Sequence, residues 1–152
     1  MQTPTLDLKP LLVGTLSGQG EVFGLSGRRK RGFDLAFFGE WSIGYDALHL
    51  DEVLVYDNGR QVRRHWAIQF DADGGLLGYD SHQAARMRGR ALPDKIRVVF
   101  DRPLGLAQEL AAPRVVIDVF EAPDGGLRLE GRLSLFGLVV QRTQASLRRG
   151  PA

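Results

Sequence analysis

Leu50-Asp51-Glu52-Val53-Leu54-Val55-Tyr56-Asp57-Asn58-Gly59-Arg60-Gln61-Val62-Arg63 runs without interruption into Arg64-His65-Trp66-Ala67-Ile68. Two strand-forming stretches flank Asp-Asn-Gly, whose Asn and Gly accept the positive φ that a tight reversal needs. The segment therefore reads as an antiparallel hairpin, and its loop length decides which residues meet. If Asp57-Asn58-Gly59 is a three-residue loop with Gly59 as the left-handed residue of a G1 bulge, Tyr56 pairs with Arg60. Leu54 then faces Val62, Glu52 faces Arg64 and Leu50 faces Trp66. A two-residue Asn58-Gly59 loop would instead set Glu52 against His65 and Val53 against Arg64. The first register is the more self-consistent, because each apolar residue on that face meets another and a slip of one residue mismatches the faces.

Similar units recur along the chain. Strand candidates are 14–24, 31–42, 46–57, 60–70, 75–89 (broken), 94–101, 113–121, 126–135 and 138–148. Between them lie Ser26-Gly27-Arg28, Gly44-Tyr45, Asp71-Ala72-Asp73-Gly74-Gly75, Leu92-Pro93-Asp94 and Pro123-Asp124-Gly125-Gly126, each with the residues that turns require. Phe33, Leu35 and Phe37 share one face, as do Ile96, Val98 and Phe100, and Val115, Ile117 and Val119. Residues 103–112 are the one helical candidate, and residues 1–12 read as a leader. Eight to ten antiparallel strands with no long helix predict an all-β, up-and-down barrel, since closure removes the sticky edges of an open sheet. A two-sheet sandwich is the structural alternative.

The chain has 152 residues, which suits one domain with a sizeable core. With no cysteine it has neither disulfides nor thiolate metal sites. A formal charge of +2 excludes a polybasic nucleic-acid binder, and no apolar run approaches the length of a membrane-spanning helix. Met1 to Pro10 lack the pattern of a signal peptide. As written, the sequence reads as cytoplasmic, or as an envelope protein if an export segment lies upstream.

Several features together resemble the bacterial lipocalin-like family known as domain of unknown function 3833. They are Gly14, Gly18 and Gly20 in the first strand, Arg31-Gly32-Phe33, Gly39-Glu40-Trp41, Asp51-Glu52, Tyr56-Asp57-Asn58-Gly59 with Arg64-His65-Trp66, and Leu135-Phe136-Gly137. The similarity runs from about Leu6 to Arg148. It implies a calycin-like barrel and names neither a ligand nor a reaction.

The favoured register places Glu52 and Arg64 on the face of Leu50, Leu54, Trp66, Ile68 and Phe70, the expected barrel interior. A charge there needs a partner, because an isolated buried ion costs far more than a paired one. Two roles are open to the pair: a bridge that fixes strand register, or an anchor for the polar head of a ligand. Tyr56, Trp66 and Trp41 join Glu52 and Arg64 as candidate ligand-binding residues, the tryptophans serving otherwise as core fillers. His49 and Asp51 have the opposite parity and should point outward, and two such groups do not make a metal site. Asp118 sits in an apolar run and could face solvent across the pleat. Asp80-Ser81-His82 has the letters of a hydrolase, but sequence neighbours on a strand point to opposite faces. No metal, cofactor or catalytic set is expected.

Arg28-Arg29-Lys30-Arg31 and Arg86-Met87-Arg88-Gly89-Arg90 read as solvated surface or as contacts for anionic lipid headgroups. Nucleic acid is disfavoured because no aromatics interleave with these arginines. The leading expectation is a binding protein for a small apolar or amphipathic molecule. The alternatives are a small enzyme with Glu52 as acid or base, and a structural or envelope-associated barrel plugged by its own side chains. The sequence leaves oligomeric state open.

Overall fold

Ten strands follow one another in the computed structural model, which describes residues 11–42, 44, 47–81, 86–101, 114–135 and 138–150. They are β1 Gly14–Phe23, β2 Arg29–Trp41, β3 Leu48–Tyr56, β4 Gln61–Phe70, β5 Gly75–Asp80, β6 Arg86–Ala91, β7 Ile96–Asp101, β8 Arg114–Glu121, β9 Leu127–Leu135 and β10 Leu138–Arg149. Each pairs antiparallel with its sequence neighbour, and β1 also pairs with β10 to close an up-and-down barrel. The sandwich is thereby set aside, and the 75–89 candidate divides into β5 and β6. The helical candidate at 103–112 and residues 1–10 of the leader lie outside the described residues.

Four hairpins use one turn. In each, a backbone N–H bonds the carbonyl four residues on: Gly24 to Arg28, Tyr56 to Arg60, Asp71 to Gly75 and Ala122 to Gly126, at 2.8–2.9 Å. The fourth residue of each turn is a glycine, Gly27, Gly59, Gly74 or Gly125, with φ between 81° and 88°. That value is left-handed backbone, which a Cβ disfavours. The Asp57-Asn58-Gly59 loop is thus three residues long, and the register that follows pairs Leu54 with Val62, Glu52 with Arg64 and Leu50 with Trp66.

The two ends of the barrel differ. At the end where β1 begins and β10 finishes, the inward side chains Leu16, Leu48, Ile96, Leu127 and Leu147 are at most 1% exposed. Leu11, also buried, packs with them. Its neighbour Leu12 passes so close to β2 that a Cβ on Gly39 would lie 1.8 Å from the Leu12 carbonyl oxygen. Arg149 holds this crossing, donating to the carbonyls of Val13 at 2.8 Å and Leu11 at 2.5 Å. At the opposite end Val22 and Phe33 are buried, but inward-facing Leu54, Tyr56, Val62, Phe100, Val115, Ile117 and Leu133 are only half-buried, as are Trp41, Phe70 and Val119 at the packed end.

Candidate functional site

Glu52 and Arg64 sit midway along β3 and β4, between the packed end and the half-buried end. Being directly opposite in register, they reach each other without distortion. Arg64 Nη1 donates to Glu52 Oε1 at 2.7 Å. The side chains are 20% and 11% exposed respectively, so the pair is largely withdrawn from water while Arg64 keeps an edge toward the open half. The Trp66 indole also hydrogen-bonds the Glu52 carboxylate. Trp66 itself is 1% exposed and packs edge-on to Phe100 with ring centroids 5.5 Å apart.

A second carboxylate completes the cluster. Asp80 ends β5 opposite Trp66 and is fully buried. Its Oδ1 accepts the backbone N–H of His65 at 2.7 Å. Burial pushes the Glu52 carboxyl above its ordinary value of 4.5. The charge of Arg64 and the hydrogen bonds from Arg64 and Trp66 work against that rise, while the charge of Asp80 adds to it.

The sign of the pH dependence follows. A carboxyl whose folded pKa lies above its unfolded value favours folding most below the unfolded value, and the benefit is lost as pH rises through the folded one. The Glu52 contribution should therefore be complete below about pH 4.5 and decline above it. Asp118 behaves in the opposite sense. The hydrogen bond from Arg97 lowers its pKa from 3.8, so its contribution is present above that pH and fades as pH falls through the lowered value. Urea midpoints measured across pH should show the high-pH decline vanish in Glu52→Gln while the loss in acid remains. An unchanged decline in that variant would refute the assignment.

The structure brings together three of the five residues singled out from sequence: Glu52, Arg64 and Trp66. Tyr56 lies further along β3, at the half-buried end, edge-on to Phe33 and beneath the Arg31 guanidinium at 5.4 Å. Trp41 lies toward the packed end, where it meets Phe70 at 5.5 Å. Asp80 escaped the sequence reading, which weighed it only with Ser81 and His82. The missed signal was parity: Leu76, Gly78 and Asp80 share the inward face, and His82 lies outside the described residues. His49, Asp51 and His65 are on the outer wall. The two imidazoles stack at 5.5 Å, and His65 Nδ1 contacts Asp51 Oδ1 at 2.5 Å. Asp118 is also on the outer face, yet only 7% exposed, because Arg97 grips it through two bonds of 2.8 and 3.0 Å and Lys95 approaches at 3.4 Å.

A hollow of about 1020 Å³ lies over β10, β1 and β2, but outward-facing Ser17, Gln19, Asp34, Gln144 and Ser146 line it. Inward-facing Phe33, Tyr56 and Ala145 also border it, but it includes none of Glu52, Arg64, Trp66 or Asp80.

No curated protein matches the chain. Among solved structures, a protein of unknown function from Nostoc punctiforme, of the DUF3598 family, superposes with a TM-score of 0.64 at 13% identity. The match covers 97% of this chain and 50% of that one, so the chain spans about half the length of the Nostoc protein, and at this identity the likeness concerns the fold alone. A de novo designed fluorescence-activating β-barrel is a more distant likeness, with a TM-score of 0.42 at 13% identity over 95% of this chain and 99% of that one. A family model described as protein of unknown function DUF3833 matches residues 1–100, which include the decisive hairpin and the Glu52, Arg64, Trp66 and Asp80 cluster. The chain belongs to the DUF3833 family.

Proposed function

We propose that the protein binds a small, mostly apolar or amphipathic molecule in the half-buried end of its barrel, with the ligand's polar group toward Glu52 and Arg64. One observation carries this reading. At the end of the barrel away from Leu16, Leu48 and Leu147, inward-facing apolar side chains on β3, β4 and β7 to β9 are left half-buried, and the ion pair stands next to them. Burying exposed apolar surface is favourable by roughly 25 cal/mol per Å², so half-covered Leu54, Tyr56, Ile117 and Leu133 offer a gain to any apolar occupant. Convergent polar groups at the base of such a pocket fix the occupant's orientation. Trp66 and Tyr56 would flank it, while Trp41 would serve from the packed end as support.

Native mass spectrometry of freshly purified protein tests this directly. A lipid-sized adduct released by organic extraction is expected. An amphipathic fluorescent probe, 1-anilinonaphthalene-8-sulfonate, should bind the native fold. Ile117→Trp, which fills the half-buried end, should weaken probe binding by about tenfold or more, the loss expected when a pocket no longer admits its occupant. Equal binding by native protein and Ile117→Trp, with no adduct, would refute the proposal.

An enzymatic use of the same cluster draws on a separate observation, the raised pKa of Glu52 beside a second buried carboxylate. A carboxyl held above its ordinary value is suited to carrying a proton to a bound molecule. On this second reading, Glu52→Gln abolishes turnover of the bound molecule while leaving probe binding intact.

A further inference from the structure

The outer wall of the barrel is chemically lopsided. Over β1, β9 and β10 the outward positions are polar and of mixed character: Thr15, Ser17, Gln19 and Glu21, then Arg128, Glu130, Arg132 and Ser134, then Arg142, Gln144, Ser146 and Arg148. The wall from β4 to β6 has another composition. Its outward side chains include Arg63, Arg86, Arg88 and Arg90, and the one described acidic residue on these strands, Asp80, points inward.

Apolar groups lie among these arginines. Leu77 is 65% exposed and Tyr79 is 49% exposed, although both face outward on a strand whose inner face is already packed. In register Leu77 lies beside Arg88, and Arg88 beside Val99. Val99 in turn lies beside Val116, and Tyr79 beside Arg86. The result is a half-exposed apolar row, Leu77, Val99 and Val116, bordered and crossed by the Arg86–Arg88–Arg90 ladder. Acidic groups reappear at the margin: Asp101 opposite Arg86 in register, and Asp118, which Arg97 already engages.

We propose that this β5–β8 wall docks on the surface of a bilayer containing anionic phospholipid. Each arginine near such a surface gains from the headgroup charge. Leu77 gains by leaving water, and a tyrosine ring is suited to the headgroup boundary, with its body apolar and its hydroxyl wet. A nucleic-acid strand would use the arginines but offers nothing to Leu77, Val99 or Val116, and the lipid surface satisfies both kinds of side chain. This inference concerns the outside of the barrel and stands apart from the interior binding site.

Co-sedimentation with vesicles tests it. Full-length protein should bind vesicles of mixed phosphatidylcholine and phosphatidylglycerol, bind pure phosphatidylcholine weakly, and be released by salt as screening shortens the reach of the charges. The triple variant Arg86→Gln, Arg88→Gln, Arg90→Gln should lose about 100-fold in partition, roughly fivefold per arginine. A control triple on the far wall, Arg29→Gln, Arg142→Gln, Arg148→Gln, removes the same charge and should stay within about threefold of native, because β2 and β10 lie outside the docking wall. Leu77→Ser should weaken binding about tenfold without altering the barrel's circular dichroism, the cost of forgoing most of one leucine's burial. Three results would each overturn the proposal: no preference for anionic vesicles, equal losses in the two triple variants, or tighter binding to a single-stranded oligonucleotide than to vesicles at matched salt.

Discussion

Replacing Arg64 with Met should cost about 3–5 kcal/mol of stability at pH 8, the usual penalty for stranding one member of a buried pair. The side chain lost is of similar length to its replacement, so packing is largely kept. What changes is the environment of Glu52, whose carboxyl is 11% exposed and loses a charged donor at 2.7 Å. Two comparisons separate this cause from general damage. The double variant Glu52→Met, Arg64→Met should recover most of the loss or exceed native stability, since a well-packed apolar pair often replaces a buried ion pair without cost. The single variant should also regain stability toward pH 5, where Glu52, already raised above its ordinary value, takes up a proton more readily. Chemical denaturation at both pH values reads out both effects. A double variant as unstable as the single one would show that the pair's charges are not the cause.

Trp66→Ala should be of similar size, about 3–5 kcal/mol, because it empties the space of a large ring at the centre of the barrel. Trp66 is 1% exposed, packs on Phe100 and donates to Glu52. Trp66→Phe divides these roles. It keeps most of the ring but removes the indole N–H, so it should cost about 1–2 kcal/mol and push the Glu52 carboxyl further up. If Trp66→Phe is as damaging as Trp66→Ala, shape rather than volume governs the site. If Trp66→Phe is silent, the indole hydrogen bond contributes nothing measurable.

The hairpin shows how much was readable without coordinates. Loop length, the left-handed Gly59 and the opposition of Glu52 to Arg64 all follow from short-range rules, and the observed register agrees with each. Strand boundaries at β1, β3, β4, β9 and β10 fall within about two residues of those expected from alternation, because turn residues punctuate them sharply. Asp118 marks the limit of parity. Alternation assigns it to a face, but its cover by Arg97 and Lys95 depends on neighbouring strands. Asp80 was within reach, since its parity with Leu76 and Gly78 points inward. Its position beside Glu52, however, requires β5 to be aligned on β4.

Local chemistry thus determined the strands, the turns and the opposition of Glu52 to Arg64, because each depends on residues within a single hairpin. Tertiary structure alone decided that β1 closes on β10, that inward-facing apolar side chains next to the ion pair are left half-buried, and that a second carboxylate joins the pair. It also decided that arginines and apolar side chains from four strands share one outer wall. Those features arise from alignments between strands far apart in the chain, and no single segment encodes them.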